Sequence, residues 1–269
     1  MLALDPIVRF YDSDHPDPEN PIYKENLSCF TEYPLLGYDF QRFIEYAQKH
    51  NVQRVLEVCC GTGRIAIPLA KSGLHITGID KSSEMLILLK NKCLENSLKD
   101  QIDIAEANSQ EFDLGLTRFD MSIIAFNSFL CIADEQAQIE TLANIYHHLR
   151  PKGVLLIDFL NPCYLSLSGT NEYRAGPNRR CIYTGKEYVR FSRSTPIDHN
   201  QRQVIFGYYQ EIASEKKYEF EFTWRPVTAD QIISMLEESG FSKVNLYGDS
   251  YRTQKFNEES QHIFVEAFV

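Results

Sequence analysis

The sequence predicts an α/β fold built on a doubly wound, mostly parallel seven-stranded sheet with an antiparallel final strand, accompanied by an inserted antiparallel β-sheet and an N-terminal lid segment. Three observations carry this. Between residues 53 and 159, short β-branched runs alternate with segments of helical apolar period, which is the pattern of a parallel sheet with crossover helices. The first of those strands turns through Gly61-Thr62-Gly63 straight into a helix. After residue 226 the chain closes with a helix, a strand, a connection and one more strand. Right-handed crossovers and short loops then make the doubly wound arrangement the economical topology.

The elements follow in order. Between residues 11 and 34, Pro16, Pro18, Pro21 and Pro34 among Asp and Asn predict irregular backbone. Tyr11, Tyr23 and Phe30 make the stretch too aromatic for a plain tail, and residues 1–37 are read as a lid segment. Phe40, Phe43, Ile44 and Ala47 keep a helical spacing ahead of a strand at 53–58. A helix at 63–72, a strand at 74–80 and a helix at 82–96 with Ser82 as N-cap come next. Strands at 102–105 and 119–126, a helix at 135–149, a turn through Arg150-Pro151-Lys152-Gly153 and a strand at 154–159 complete this half. A loop containing Gly169, Gly176 and Pro177 leads to strands at 181–192, 203–212 and 218–224, whose succession without helices predicts antiparallel pairing. Residues 163–225 are therefore read as an insertion that covers a substrate or makes a dimer contact. A helix at 228–239, ended by Gly240, and strands at 244–247 and 262–268 return the chain to a core made of residues 38–162 and 226–269.

Composition narrows the function. A chain of 269 residues with 43% hydrophobic content supports one large core, since single cores stop growing near about 250–300 residues. A net charge of -10 argues against nucleic acid and anionic membrane surfaces, which are gripped by clustered Lys and Arg. The 7 cysteines include no C-x-x-C pair and signal neither a metal site nor a disulfide framework. Reduced thiols, no basic-apolar leader in residues 1–10 and no span of membrane length point to a cytoplasmic protein, monomeric or homodimeric, acting on a small molecule.

The strand ending in Glu57-Val58 and the loop Cys59-Cys60-Gly61-Thr62-Gly63 place backbone N–H groups and a helix start beside a ligand. Asp80, at the carboxyl end of the next strand about twenty residues on, is where a carboxylate accepts ribose hydroxyls. Glycine turns alone would explain Gly61 and Gly63, but not the glutamate before them together with the spaced aspartate. Gly61-x-Gly63-x-x-Ala66 also satisfies a nicotinamide fingerprint. Three features favour S-adenosylmethionine instead. Glu57 suits a cationic amino group and would repel a pyrophosphate; Cys59 and Cys60 stand where a dinucleotide loop keeps its first glycine; and no second nucleotide-binding half follows residue 159.

The ordered series Val55-Leu56-Glu57-Val58-Cys59-Cys60-Gly61-Thr62-Gly63-Arg64, Gly78-Ile79-Asp80-Lys81-Ser82-Ser83-Glu84-Met85-Leu86 and Leu149-Arg150-Pro151-Lys152-Gly153 resembles the class I S-adenosylmethionine methyltransferases. Ala125-Phe126-Asn127-Ser128-Phe129, Asp158-Phe159-Leu160-Asn161-Pro162 and Trp224-Arg225-Pro226-Val227-Thr228 are similar to small-molecule enzymes of the amino-sugar and amine type. The resemblance implies that Glu57, Gly61 and Gly63, with Cys59 and Thr62 in the same loop, surround the methionine part, that Asp80 meets the ribose, and that Lys81 and Met85 flank the adenine. Asn108 and Ser109 follow the third strand where the family usually has an aspartate. Phe126 completes the cofactor set, and S-adenosylhomocysteine is the implied product. Cys131 stands where related enzymes often keep a histidine, which weakens histidine base catalysis.

Asn127 and Ser128 end the fourth strand at the ligand edge of the sheet and are read as active-site residues, against a capping role for the loop that follows. Tyr11 and Tyr23 either close over the cofactor or pin the N-terminal segment. His199 reads as a surface turn residue, and His147 and His148 as helix-end residues favoured by the dipole. Arg174, Arg179, Arg180 and Arg225 can hold a carboxylate bidentately, although a solvated or paired arginine is the commoner fate of any one of them. With no His-Asp or metal constellation, N-methylation of an amine is expected ahead of O-methylation of a secondary metabolite. A non-catalytic cofactor-binding subunit and a nicotinamide oxidoreductase are the remaining alternatives.

Overall fold

The computed structural model describes residues 4–16, 39–165 and 167–269. Its elements are α1 (Pro6–Asp14), α2 (Asp39–Lys49), β1 (Arg54–Val58), α3 (Ala66–Lys71), β2 (His75–Asp80), α4 (Ser83–Glu95), β3 (Ile102–Glu106) and β4 (Phe119–Ile124). They continue with α5 (Glu135–His148), β5 (Leu149–Leu160), β6 (Arg174–Arg180), β7 (Glu187–Ser194), β8 (Gln203–Glu211), β9 (Lys217–Trp224), α6 (Ala229–Glu238), β10 (Lys243–Tyr247) and β11 (His262–Phe268). Two compact units result: Phe40–Leu165 with Arg225–Val269, and Met1–Asp39 with Ser166–Trp224.

The larger unit holds the 7-stranded sheet in the order β10-β11-β5-β4-β1-β2-β3. Pairings among β1 to β5 are parallel, while β11 runs antiparallel to both β5 and β10, as the sequence predicts. The central strands are apolar on both faces because helices cover each side; β4 is buried at every position. Phe43 of α2, Leu69 of α3, Leu86 and Leu89 of α4, and Val55, Met121, Ile123 and Leu156 of the strands form one core. Each such aliphatic side chain contributes about 1.5–3 kcal/mol on burial. Ser82 is the N-cap expected for α4, its hydroxyl accepting from Met85 N, and Thr228 begins α6 in a capping box with Gln231.

Three expectations are corrected. The turn at 150–153 lies inside β5, as an irregularity between the pairs Phe119↔Leu149 and Met121↔Val154. The helix expected from residue 63 begins at Ala66, because residues 59–63 are held in turn conformations. The strand expected at 119–126 ends at Ile124, where the backbone enters two consecutive left-handed residues, Phe126 and Asn127.

The smaller unit is the antiparallel sheet β6-β7-β8-β9 with α1 packed on it. The sequence predicts irregular backbone from residue 11, but α1 runs to Asp14, started by Asp5, whose carboxylate accepts from Ile7 N, and by Pro6 in the first turn. Phe10 stacks on Tyr209 at 4.4 Å and lies against Tyr188 at 4.6 Å. The buried Asp14 accepts from Arg179 (2.8 Å), Tyr188 (2.7 Å), Tyr209 (3.2 Å) and Arg190 (3.3 Å). β6 occupies the last part of what the sequence reads as a loop, and the start of the strand expected at 181 is the tight turn between β6 and β7, where Gly185 N donates to Cys181 O.

Candidate functional site

Strands β4, β1 and β2 lie side by side and parallel, so their carboxyl ends open on one edge of the sheet. The strand order reverses between β1 and β4, and ligands of open α/β sheets bind at that edge. Glu57, one residue before the end of β1, is buried at 4% exposure. Cys59 (φ 61°), Gly61 (φ 54°) and Gly63 (φ 82°) then place three left-handed residues within five. Gly63 is required sterically as well, because a Cβ there would stand 2.3 Å from Leu89 Cδ1.

Polar contacts hold this loop. Gly61 N donates to Asp80 Oδ2 (2.8 Å) and Ser82 N to Asp80 Oδ1 (2.9 Å), so one carboxylate clamps the turns after β1 and β2. Cys60 N donates to Ile79 O at 3.0 Å, and Lys92 Nζ to Thr62 O at 3.1 Å. Each Asp80 oxygen keeps lone-pair capacity beyond these bonds, and the side chain is half-exposed. A buried carboxylate at Glu57, a loop of left-handed residues at 59, 61 and 63, and a fixed acceptor at Asp80 fit a nucleoside with vicinal hydroxyls and a cationic amino end.

After β4 the chain turns through Phe126 (φ 56°) and Asn127 (φ 63°). Asn127 Oδ1 accepts from Leu160 N at 2.7 Å, and Asn127 N donates to Asp158 O at 3.1 Å. Phe126 N donates to Asp158 Oδ2 at 3.1 Å, and the Arg64 guanidinium lies 4.8 Å from the centre of the Phe126 ring. The loop after β1 and the turn after β4 are thereby joined. Ser128 opens the short 3-10 turn Ser128–Cys131.

The structure thus brings Glu57, Cys59, Gly61, Thr62, Gly63, Asp80, Phe126, Asn127 and Ser128 to one edge. Lys81 is exposed next to Asp80, and Met85 is buried in the first turn of α4. Asn108 Nδ2 donates to Glu111 Oε1 at 2.9 Å, and Ser109 Oγ bonds Thr141 Oγ1 at 2.9 Å. Tyr11 belongs to the smaller unit, its ring edge-on to His15 at 4.8 Å, and Tyr23 lies outside the described residues. Burial pushes the Cys59 thiol well above its ordinary range, with Asp80 and Cys131 adding to the effect; burial does the same to Cys60, reinforced by Glu57.

The arginines and histidines resolve toward structural roles. Arg225 is 1% exposed, donates to Gln138 Oε1 at 2.8 Å and pairs with Glu135. Arg179 pairs with Asp14 and Arg180 with Glu187, while Arg174 is exposed. His148 Nε2 accepts from Leu114 N at 3.2 Å, which leaves the proton on Nδ1, 2.8 Å from Asn144 O. His199 is exposed in its turn.

One residue at this edge escapes sequence reasoning. Arg42 of α2 is 3% exposed, and its Nη2 lies 3.0 Å from Asp158 Oδ1. Asp158 stands in a recognisable motif, but a single arginine among the apolar positions of α2 carries no sequence signal, because charged helix residues usually face water.

A methyltransferase-domain family model matches residues 55–153. A putative methyltransferase of Geobacillus sp. is 31% identical over 227 residues, covering 84% of this chain and 89% of that protein. A glycine/sarcosine N-methyltransferase of Aphanothece halophytica is 28% identical over 230 residues, covering 83% and 79%. Among solved structures, the CcbJ methyltransferase from Streptomyces caelestis shares the fold at a TM-score of 0.76 with 21% identity, covering 98% of this chain and 96% of that one.

Proposed function

The chain belongs to the methyltransferases that use S-adenosylmethionine as methyl donor, and on that premise we propose that it methylates the amino nitrogen of a small polar molecule by direct in-line transfer. When bound, S-adenosylmethionine supplies an activated sulfonium methyl group and leaves as S-adenosylhomocysteine. Glu57, Cys59, Gly61, Thr62 and Gly63 hold the amino-acid end, Asp80 the ribose, and Lys81, Met85, Asn108, Ser109 and Phe126 the adenine side. Asn127 and Ser128 orient the acceptor.

The observation that carries the amine reading is the employment of the titratable groups at this edge. Asp80 accepts from two backbone amides, Asp158 accepts from Phe126 N and pairs with Arg42, and the Cys59 and Cys60 thiols are kept protonated by burial. Such groups fix geometry and leave proton transfer to others. An amine attacks from its neutral form without a protein base, whereas an alcohol needs one within reach. Alignment alone supplies about 7–11 kcal/mol of barrier reduction, and the similarity to a glycine/sarcosine N-methyltransferase supports the same choice.

The test is release of S-adenosylhomocysteine from a panel of amines, glycine and sarcosine included, alongside alcohols and phenols. Turnover with amines is expected. Turnover confined to hydroxyl acceptors would overturn the reading.

A further inference from the structure

The backbone at the end of β4 is costly. Phe126 and Asn127 are consecutive left-handed residues, and a bulky aromatic side chain rarely adopts that conformation. Strain of this kind persists only where the surroundings over-determine it, and it gathers at functional sites. Here the surroundings are specific. Asp158 contributes both its carboxylate and its main chain: Oδ2 accepts from Phe126 N (3.1 Å) and the carbonyl accepts from Asn127 N (3.1 Å). Leu160 N, two residues on, donates to Asn127 Oδ1 (2.7 Å).

The Asp158 carboxylate is held by a buried ion pair whose charges approach without a hydrogen bond between them. Its Oδ1 faces Arg42 Nη2 at 3.0 Å, and the two side chains are 7% and 2% exposed. The Arg42 guanidinium lies over the rings of Phe43 (5.0 Å) and Phe264 (4.8 Å), which restrict its plane. His262, paired with Leu160 across β11 and β5, faces the same two groups, and burial holds its imidazole below the ordinary value, against Asp158, with Arg42 adding to the fall. With that ring neutral, Arg42 is the cation in direct contact with the carboxylate, and Arg252, half-buried nearby and acting on both Arg42 and Asp158, adds a second positive charge.

We propose that Arg42 and Asp158 form a positioning pair that fixes the Phe126–Asn127 turn, and through it the acceptor side of the site. They are positioning residues, acting through the backbone of β4's end. The proposal rests on Asn127 and Ser128 serving the acceptor, and its first readout is independent of that.

The test replaces the pair by apolar groups of similar size, Arg42→Met with Asp158→Leu. Buried ion pairs exchanged whole in this way commonly leave a fold intact or more stable, so a loss of function is not a loss of folding. Expected are hydrogen exchange at the Phe126 and Asn127 amides at least about tenfold faster, with the amides of Val55–Val58 unchanged. Affinity for S-adenosylhomocysteine should weaken less than turnover, since Phe126 is the one cofactor residue in the turn, while kcat falls about 10- to 100-fold with the amine the parent enzyme uses best, the scale of a misplacement near 1 Å. Unchanged exchange at Phe126 and Asn127 overturns the proposal, as does a kcat that falls only in step with cofactor affinity. If the double variant does not fold, Arg42→Lys keeps the buried charge without the planar fork, and the same outcomes decide. A parent enzyme inactive on every amine would refute the proposed reaction while leaving the exchange result to judge the pair.

Discussion

Replacing Asp80 by Ala removes the acceptor for Gly61 N at 2.8 Å and Ser82 N at 2.9 Å. In the free protein the site is half-exposed, so water takes over both amides and the folding cost stays near about 1 kcal/mol, or roughly 2–4 °C in melting temperature. With the nucleoside in place that water is displaced, and the ribose hydroxyls lose a charged acceptor as well. The expected weakening is about 1–3 kcal/mol, roughly 5- to 150-fold in dissociation constant. Asp80→Asn should fall between, since one amide oxygen survives while the NH2 group must face one of the two backbone donors. Titration calorimetry with S-adenosylhomocysteine, read beside thermal melting, measures both quantities. A folded Asp80→Ala protein with parental affinity would refute the ribose assignment and the argument that the clamp shapes the loop.

Gly63→Ala drives a Cβ to within 2.3 Å of Leu89 Cδ1 at φ 82°; strain and overlap together cost about 2–4 kcal/mol, so the melting temperature should drop by about 4–16 °C, and a shift under a degree would contradict the tight packing of this loop on Leu89. Asp14→Asn should destabilise the smaller unit by about 3–5 kcal/mol by removing the buried charge that pairs with Arg179 and Arg190, measured by denaturant melts. Burial alone would raise the Asp14 carboxyl, but Arg179 and Arg190 outweigh it and hold it below 3.8. A depressed carboxyl contributes stability above its unfolded value, so this contribution is lost as pH falls below about 4, and the Asp14→Asn variant should melt with less acid dependence there. Because burial keeps the Cys59 and Cys60 thiols protonated, iodoacetamide at neutral pH should modify the exposed Cys131 and Cys163 first; early labelling at Cys59, read by peptide mass spectrometry, would show a thiolate the structure does not support.

What the sequence made legible was whatever depends on local chemistry. Ser82 and Thr228 announce their helices by capping, and Glu57 and Asp80 fall at the ends of β1 and β2 as their spacing predicts. β6 was missed because Gly176 and Pro177 argue against a strand interior. It is an edge strand, however, and its register shifts between Ala175 and Asn178, where a proline removes no ladder bond that matters. The helical run to Asp14 was hidden by the prolines that follow it, although Asp5-Pro6 was a readable start. Arg42 was hidden for a different reason: its partner is 116 positions away in the chain and only the fold brings the two together.

Three aspartates do the same work at three strand ends. Asp80, ending β2, holds the turn after β1 through Gly61 N. Asp158, near the end of β5, holds the turn after β4 through Phe126 N. At the opposite edge Asp120, near the start of β4, accepts from Gln53 N (2.6 Å) and Arg54 N (3.0 Å) where β1 begins, with Arg150 at 2.9 Å on its other oxygen. In each case a carboxylate on one strand sets the backbone at the end of its sheet neighbour. A charged acceptor suits this because its bonds to amides are roughly twice as strong as neutral ones, and the turns so fixed cannot relax independently of the sheet. A reaction whose donor is already activated asks for alignment above all, and carboxylates bonded to backbone amides at the turns after β1 and β4 suit the proposed reaction.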